Sequence, residues 1–277
     1  MNIAIVGYGT MGRMIAAAAQ ERGHRVTVVV EPLAAAVPAG ARHYGTVEEA
    51  AFGGAGKGGT DSVDVAVEFS RPGTAPGNIM ALARRGIAVV SGTTGWYERM
   101  DEVKRAVEEA GTAFLWASNF SLGVNLFYRI AWYAAELADG FPEYDAAACE
   151  AHHNKKADSP SGTAKTLVEG VLSRMRRKKR AVYHLPDRPP SPDEIHCSSL
   201  RIGSTPGVHS LIFDSAADTI EITHSARNRE GLAAGALAAA QWLVNCPGPH
   251  QAAGKPRRGI FTMDDVLAET AGIRGAP

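Results

Sequence analysis

The chain has no apolar stretch approaching the roughly 18 residues that a membrane-spanning helix needs, so no span is expected. Its first residues, MNIAIVGYGT, run straight into a strand-like segment without a basic leader, and no secretion signal is read there. Cysteine is scarce. Cys149, Cys197 and Cys246 are odd in number, far apart and never spaced C-x-x-C. That excludes a disulfide scaffold and suits free thiols in a reducing, cytoplasmic compartment. Net charge is missing too, because 29 basic side chains cancel 29 acidic ones. Neither nucleic acid nor an anionic membrane is therefore the expected partner, and a small molecule is. Metal-site spacings are absent as well, with no H-E-x-x-H and no cysteine pair. GGAGKGG at 53–59 fails as a P-loop, since Ala51 stands where the first glycine belongs and Gly58 follows Lys57 in place of Ser or Thr. It reads as a plain loop.

At 277 residues the chain has room for two modest domains. Over the first 120 or so, short apolar runs at 2–7, 25–31, 63–70, 86–91 and 112–117 alternate with helix-period segments at 11–22, 74–85 and 97–110. Runs rich in Val, Ile and Ala on both faces suit a parallel sheet covered by helices, an α/β arrangement. The pattern changes near residue 121. A long helix at 122–139 leads to a strand, then a helix from about 161. Segments at 194–202, 208–216 and 219–226 follow, alternating as antiparallel strands do, with Ala217-Asp218 as a turn. This second part reads as α+β. A helix at 231–244 and IFTMDDVL at 260–267 then return the chain to the first domain. RMRRKKR at 174–180 reads as a solvated basic helix end.

VGYGTMG at 6–12 places Gly7, Gly9 and Gly12 as G-x-G-x-x-G, a weak signal alone in a chain with 30 glycines. Its context is stronger: a strand precedes it, a helix follows, and Glu31 closes the next strand 19 residues on. Gly7 serves the tight turn, Gly9 the approach of a pyrophosphate, and Gly12 the packing of helix on strand. Glu31 would accept from ribose hydroxyls and repel a 2′-phosphate, and Pro32 offers no compensating cation. NADH is thus favoured over NADPH, with Arg13 and Arg42 as the cations that could reverse this. SGTTG at 91–95 and ASNFSLGVN at 117–125 follow strands of the same sheet, where an open α/β sheet collects its ligand.

The densest chemistry is EAHHNKKADSPSGTA at 150–164. Hydride delivery to a C=N or conjugated C=C bond builds electron density on a neighbouring atom, and a histidine titrating near neutrality can supply the proton. A lysine adds fixed charge or a second proton, and a Ser-Gly-Thr helix start offers N–H groups to a carboxylate. A bland account competes: adjacent His152 and His153 face opposite sides of a strand, either one alone is most often structural, and Ser161 can simply cap its helix. His196, His209 and His224 could join either histidine on a metal, but no metal is expected.

The same residues closely resemble the signature of the 4-hydroxy-tetrahydrodipicolinate (dihydrodipicolinate) reductase family of lysine and diaminopimelate biosynthesis. VGYGTMGR at 6–13, EFSRP at 68–72, SGTTG, ASNFSLGVN, RIGSTPGVH at 201–209, EITHSARNR at 221–229 and MDDVL at 263–267 extend the match along the chain. The resemblance implies a Rossmann-type doubly wound parallel sheet formed by 1–121 and 230–277. An α+β mixed-sheet domain at 122–229, inserted before the C-terminal segment, would bind substrate and build a homotetramer. It implies NAD(P)H-dependent reduction of a cyclic dicarboxylate to tetrahydrodipicolinate, completed by domain closure. His152 matches the family's proton donor and Lys156 its second one, while His153, Gly162 and Thr163 match contacts to a substrate carboxylate. Gly7, Tyr8, Gly9, Thr10, Met11, Gly12 and Glu31 match the pyrophosphate and ribose contacts. Gly92, Thr93, Thr94, Ala117, Ser118, Asn119 and Phe120 match those around the nicotinamide. Two departures bear on the cofactor: the phosphate loop is one residue shorter than the G-x-x-G-x-x-G of many members, and Pro32 stands where many carry Arg. An aspartate-dehydrogenase-like enzyme and a non-catalytic NADH sensor are the competing readings, and neither needs the His-His, Lys and Ser-Gly-Thr spacing.

Overall fold

The computed structural model describes residues 1–33, 36–53, 62–184, 187–244 and 257–272. Most of the 53–59 loop, and Cys246, lie outside them. The chain divides into two compact units, one of Met1–Ser121 with the described residues from Leu232 onward, the other of Leu122–Gly231.

The first unit is a seven-stranded parallel sheet. Its strands are β1 (Asn2–Val6), β2 (Arg25–Val30), β3 (Arg42–Tyr44), β4 (Val65–Glu68), β5 (Ala88–Ser91) and β6 (Ala113–Trp116). β12 (Gly259–Phe261) lies beside β6, and the order is β12-β6-β5-β4-β1-β2-β3. Helices α1 (Thr10–Glu21), α6 (Glu230–Val244) and α7 (Met263–Thr270) cover one face, and α2 (Ala75–Arg84) and α3 (Met100–Ala110) the other. Period-2 alternation sends Ile3 and Ile5 into one core and Ala4 and Val6 into the other. Burying each large aliphatic side chain contributes about 1.5–3 kcal/mol, so the doubly apolar strands commit the sheet to helices on both sides. β3 was not expected. It is three residues long and carries Arg42, His43 and Tyr44, too short and polar to register as a buried strand. Strand order reverses between β1 and β4, the place where such sheets bind ligands beyond their C-terminal ends.

In the second unit, α4 (Leu122–Asp139) and α5 (Gly162–Arg174) pack on one face of a five-stranded sheet of order β11-β10-β7-β9-β8. Its strands are β7 (Asp145–His152), β8 (Arg180–Val182), β9 (Glu194–Arg201), β10 (Val208–Asp214) and β11 (Thr219–Ser225). β10 pairs antiparallel with β7 and β11, but β9 lies parallel to both β7 and β8. The expectation of three antiparallel strands from 194 on is thus corrected for the first of them. Alternation reveals which face of a strand is buried, not its direction, and here α5 carries the chain across the sheet between β7 and β8.

The basic run is corrected in part: Arg176, Lys179 and Arg180 are exposed as expected, but the rest is not a solvated helix end. Only Arg174 lies in the last turn of α5. Arg177 donates to the carbonyls of Ala138 and Tyr144, and Lys178 is 2% exposed. The Lys178 ammonium meets the Asp145 carboxylate and the carbonyls of Pro192 and Glu194. A lysine is buried when it can find such partners. Among the described residues, Cys149 and Cys197 are free thiols, and burial pushes that of Cys197 up to about 12. No described helix is long and apolar enough to cross a membrane.

Candidate active site

The glycines after β1 are required by geometry. Gly7 has φ +89°, and a Cβ there would fall 2.2 Å from the carbonyl oxygen of Phe69. A Cβ on Gly12 would fall 2.1 Å from the carbonyl oxygen of Gly7. One on Gly9 would meet nothing within 4 Å, so the space above it is open. α1 begins at Thr10 with Gly9 as its N-cap, no side chain capping it and no acidic residue in its first turn. The first-turn N–H groups of Thr10, Met11 and Gly12 therefore form a seat for an anion. The Glu31 carboxylate accepts from the Tyr8 N–H at 3.0 Å, which aims it at the loop. Arg13 donates to the Tyr8 carbonyl and Arg42 to the Ala51 carbonyl. The open cradle, the uncapped helix and the carboxylate at the end of β2 all fit a dinucleotide.

Beyond β4, β5 and β6 the loops are organised by Glu68, a residue the motif reading left without a role. Fully buried, it accepts from the Ser70 N–H and hydroxyl, from Ser91 Oγ at 2.6 Å and from Thr93 Oγ1 at 3.0 Å. The Thr93 hydroxyl also accepts from the Ser70 N–H. That side chain, assigned by resemblance to the nicotinamide end, is turned inward, and its carbonyl holds the Trp96 indole at 2.7 Å. Phe120 is likewise core, 1% exposed and 5.8 Å from the Phe69 ring. Thr94 and Ser118 are exposed, Gly92, Ala117 and Asn119 half-buried. A Cβ on Gly92 would fall 2.2 Å from the Phe69 ring.

Burial raises the Glu68 carboxyl above its ordinary range, against the opposing pull of its Ser70, Ser91 and Thr93 donors. A raised folded value means that its contribution to stability is complete below the ordinary carboxyl range and is lost as pH rises through the folded value. Thermal melts of Glu68→Gln, which cannot titrate, should therefore gain on wild type between pH 5 and pH 8. A constant difference across that range would contradict this.

The second unit gathers the remaining residues at the end of β7. Period-2 alternation puts Glu150 and His152 on the helix-covered face, and register sets Glu150 opposite His209 on β10 and His152 opposite Arg201 on β9. Glu150 Oε1 accepts from Ser161 N at 3.0 Å and Arg201 Nη2 at 3.1 Å. Its Oε2 lies 3.0 Å from His152 Nδ1, off the direction of a straight hydrogen bond, and 3.6 Å from His209 Nε2. The two imidazoles meet edge to face with centroids 5.1 Å apart. Ser161 caps α5 by accepting from Ala164 N at 3.1 Å, which puts Gly162 and Thr163 in the first turn of the helix. Gly162 is exposed and Thr163 half-buried. His153 follows the strand, and its carbonyl accepts the Lys156 N–H at 3.1 Å. Lys156 Nζ pairs with Asp158 at 2.8 Å.

Burial would push Glu150 up, but the Ser161 N–H and the neighbouring His209 and Ser199 side chains prevail and hold it below the usual carboxylate range. His152 is lowered to about 4, chiefly by burial and further by His209, Lys156 and Arg201, while Glu150 works to raise it. Glu150, His152 and His209 also present atoms within 4.8 Å of one another that could ligate a metal. Arg201 already neutralises the carboxylate, an arrangement better suited to proton chemistry than to a dication. Sequence reading missed Glu150, His209 and Arg201 as partners of His152. The spacing of Glu150 and His152 was the available sign, since alternate residues of a strand share a face. His196 lies on the other face of the sheet. His224 stands 6.0 Å from the Phe127 ring, and burial lowers its pKa.

Residues 1–120 match the dihydrodipicolinate reductase N-terminal family description and residues 123–267 the C-terminal one. The chain belongs to the dihydrodipicolinate reductase family. A 4-hydroxy-tetrahydrodipicolinate reductase of Christiangramia forsetii is 35% identical over 269 residues, covering 97% of this chain and 98% of that protein. The Staphylococcus carnosus reductase of the same name is 30% identical, with 96% and 99% covered. Dipicolinate-bound dihydrodipicolinate reductase from Paenisporosarcina sp. TG-14 shares the fold, with a TM-score of 0.72, 18% identity, and 95% and 97% of the two chains covered. Family membership gives the reductase motifs a shared origin. What the geometry adds is their partners.

Proposed function

We propose that this chain reduces 4-hydroxy-tetrahydrodipicolinate to tetrahydrodipicolinate, as the names of its relatives describe. The observation that carries the reading is the convergence, at the end of β7, of a buried imidazole, a lysine and the N-terminal turn of α5. Gly162 and Thr163 offer helix N–H groups to one carboxylate of the substrate, and His153 and Lys156 lie in the loop leading to them. The bound dinucleotide supplies the hydride. His152 is largely neutral at pH 7 in the free protein; a dianion beside it raises its affinity for a proton. The 4-hydroxyl leaves with a ring hydrogen as water. The hydride and the His152 proton then add to the conjugated C=C–C=N that remains, the proton delivered as electron density moves toward the ring nitrogen, with Lys156 as the second donor.

Gly7, Gly9 and Gly12 with the N–H groups of Thr10 and Met11 would hold the pyrophosphate, and Glu31 a ribose hydroxyl pair. Glu31 sets the cofactor choice toward NADH, since its charge opposes a 2′-phosphate and Arg13 and Arg42 are engaged with backbone carbonyls. The test is oxidation of NADH and of NADPH at matched concentration, with substrate made in situ by the preceding synthase. The expected result is turnover of both with higher kcat/KM for NADH. Glu31→Ser should narrow the ratio by about tenfold, the worth of one repulsive charge near the surface. Absence of oxidation with either cofactor would sink the reading.

The homotetramer that the resemblance implies is supported by a partly exposed apolar patch on the face of the five-stranded sheet opposite α4 and α5. Cys149, Ala151, Ser198 and Leu200 line a hollow of about 360 Å³ there, and Leu200 is 55% exposed.

A further inference from the structure

We propose that Glu150 is a positioning residue for the proton transfer, fixing His152 and the start of α5 from one buried carboxylate and providing the counter-charge for the imidazolium of His152. The inference rests on the reading of His152 as proton donor and adds to it a residue that makes no contact with substrate.

Four groups converge on this carboxylate, whose side chain has no exposed surface. Through Oε1 it holds the Ser161 N–H, and so the N-cap of α5, together with the Arg201 guanidinium. Through Oε2 it faces His152 at 3.0 Å and His209 at 3.6 Å. His209 in turn reaches Ser161 Oγ at 3.3 Å, closing a ring of contacts between β7, β10 and the helix start. On the far side of the His152 ring runs the backbone of Gly207, at φ +156°. A Cβ there would come 3.0 Å from His152 Nε2. The imidazole thus has Glu150 on one side, glycine backbone on another and the edge of His209 on a third.

The charges acting on His152 are unequal. His209, Lys156 and Arg201 all disfavour its protonated form, and Glu150 is the leading charge among the described residues that favours it. A buried carboxylate that orients an imidazole and stabilises the charge it acquires is a recurring catalytic device. Here the same carboxylate also fixes the helix turn proposed to seat the substrate, so donor and seat keep a constant spacing.

Glu150→Gln retains the shape and removes the charge. In the coupled assay its kcat should fall 10- to 100-fold. KM and the affinity for pyridine-2,6-dicarboxylate should stay within about threefold, because Arg201 and the Ser161 cap still find an amide oxygen. The pH above which kcat declines should move down by about one unit, since His152 loses the neighbouring negative charge that favours its proton. Histidine ¹⁵N spectra should report the same downward move for His152. Glu150→Asp, which keeps the charge on a shorter arm, should recover the wild-type pH limb while kcat stays reduced. If Gln at 150 leaves too little folded protein, the Asp variant decides alone. For Glu150→Asp, reduced kcat with an unmoved pH limb supports the inference, and a shifted limb or wild-type kcat overturns it. A Gln variant that melts at lower temperature but keeps kcat and the pH limb also overturns it, leaving Glu150 merely structural. Failure of the underlying reading looks different: His152→Ala would then turn over normally whatever Glu150 does.

Discussion

His152→Ala should lower kcat about 100- to 1,000-fold while NADH affinity stays within about twofold of wild type. A general acid acts in the transition state, so its removal costs rate and not cofactor binding. His152 lies at the end of β7 in the second unit, whereas the proposed dinucleotide seat is built from β1, α1 and β2 of the first. Lys156→Ala should cost at least as much, because it takes a cation as well as a proton from a site for a dianion. The relevant measurements are steady-state rates at saturating cofactor and fluorescence titration with NADH. Loss of NADH binding in His152→Ala, with normal turnover of what remains bound, would contradict the assignment.

The second large effect belongs to the phosphate loop, where three glycines should behave differently. Gly12→Ala drives a methyl group to 2.1 Å from a backbone oxygen that no side-chain motion can relieve. Gly7→Ala adds a left-handed φ to a 2.2 Å clash. Each should destabilise the first unit by about 3 kcal/mol or more and abolish dinucleotide binding. Gly9→Ala should leave the melting temperature unchanged, since its methyl group enters open space. If that space takes the pyrophosphate, NADH affinity should still fall about tenfold or more, roughly 1.4 kcal/mol. Thermal melts with NADH titrations separate the cases. Equal loss of stability in all three would show that Gly9 also serves packing.

The doubly wound sheet was legible because its strands are apolar on both faces, a pattern with one physical outlet in a chain of this length. β1, α1 and β2 could be placed to within a residue, since the glycines at 7, 9 and 12 mark where strand becomes helix. Direction within the second sheet was not legible. β9 alternates as β10 does, yet runs parallel to β7, and that follows from the path of the intervening chain and not from local pattern. The basic run misled for a related reason: whether Lys178 meets water or Asp145 depends on residues 33 positions away. At the candidate site, His152 and Lys156 stand out by type and spacing. Glu150 stood in the same motif without a role, because its partners His209 and Arg201 come from β10 and β9. Thr93 and Phe120 illustrate the converse. Their motifs fall at strand ends where ligands collect, but Thr93 gives its hydroxyl to Glu68 and Phe120 gives its ring to the core.

The most direct test of the central claim is a crystal structure of the protein with NADH and pyridine-2,6-dicarboxylate bound together. One carboxylate should accept the N–H groups of Gly162 and Thr163, with His153 and Lys156 in reach of the dianion and His152 facing the ring. A dicarboxylate seated away from the end of β7, with these side chains unchanged, would contradict the account.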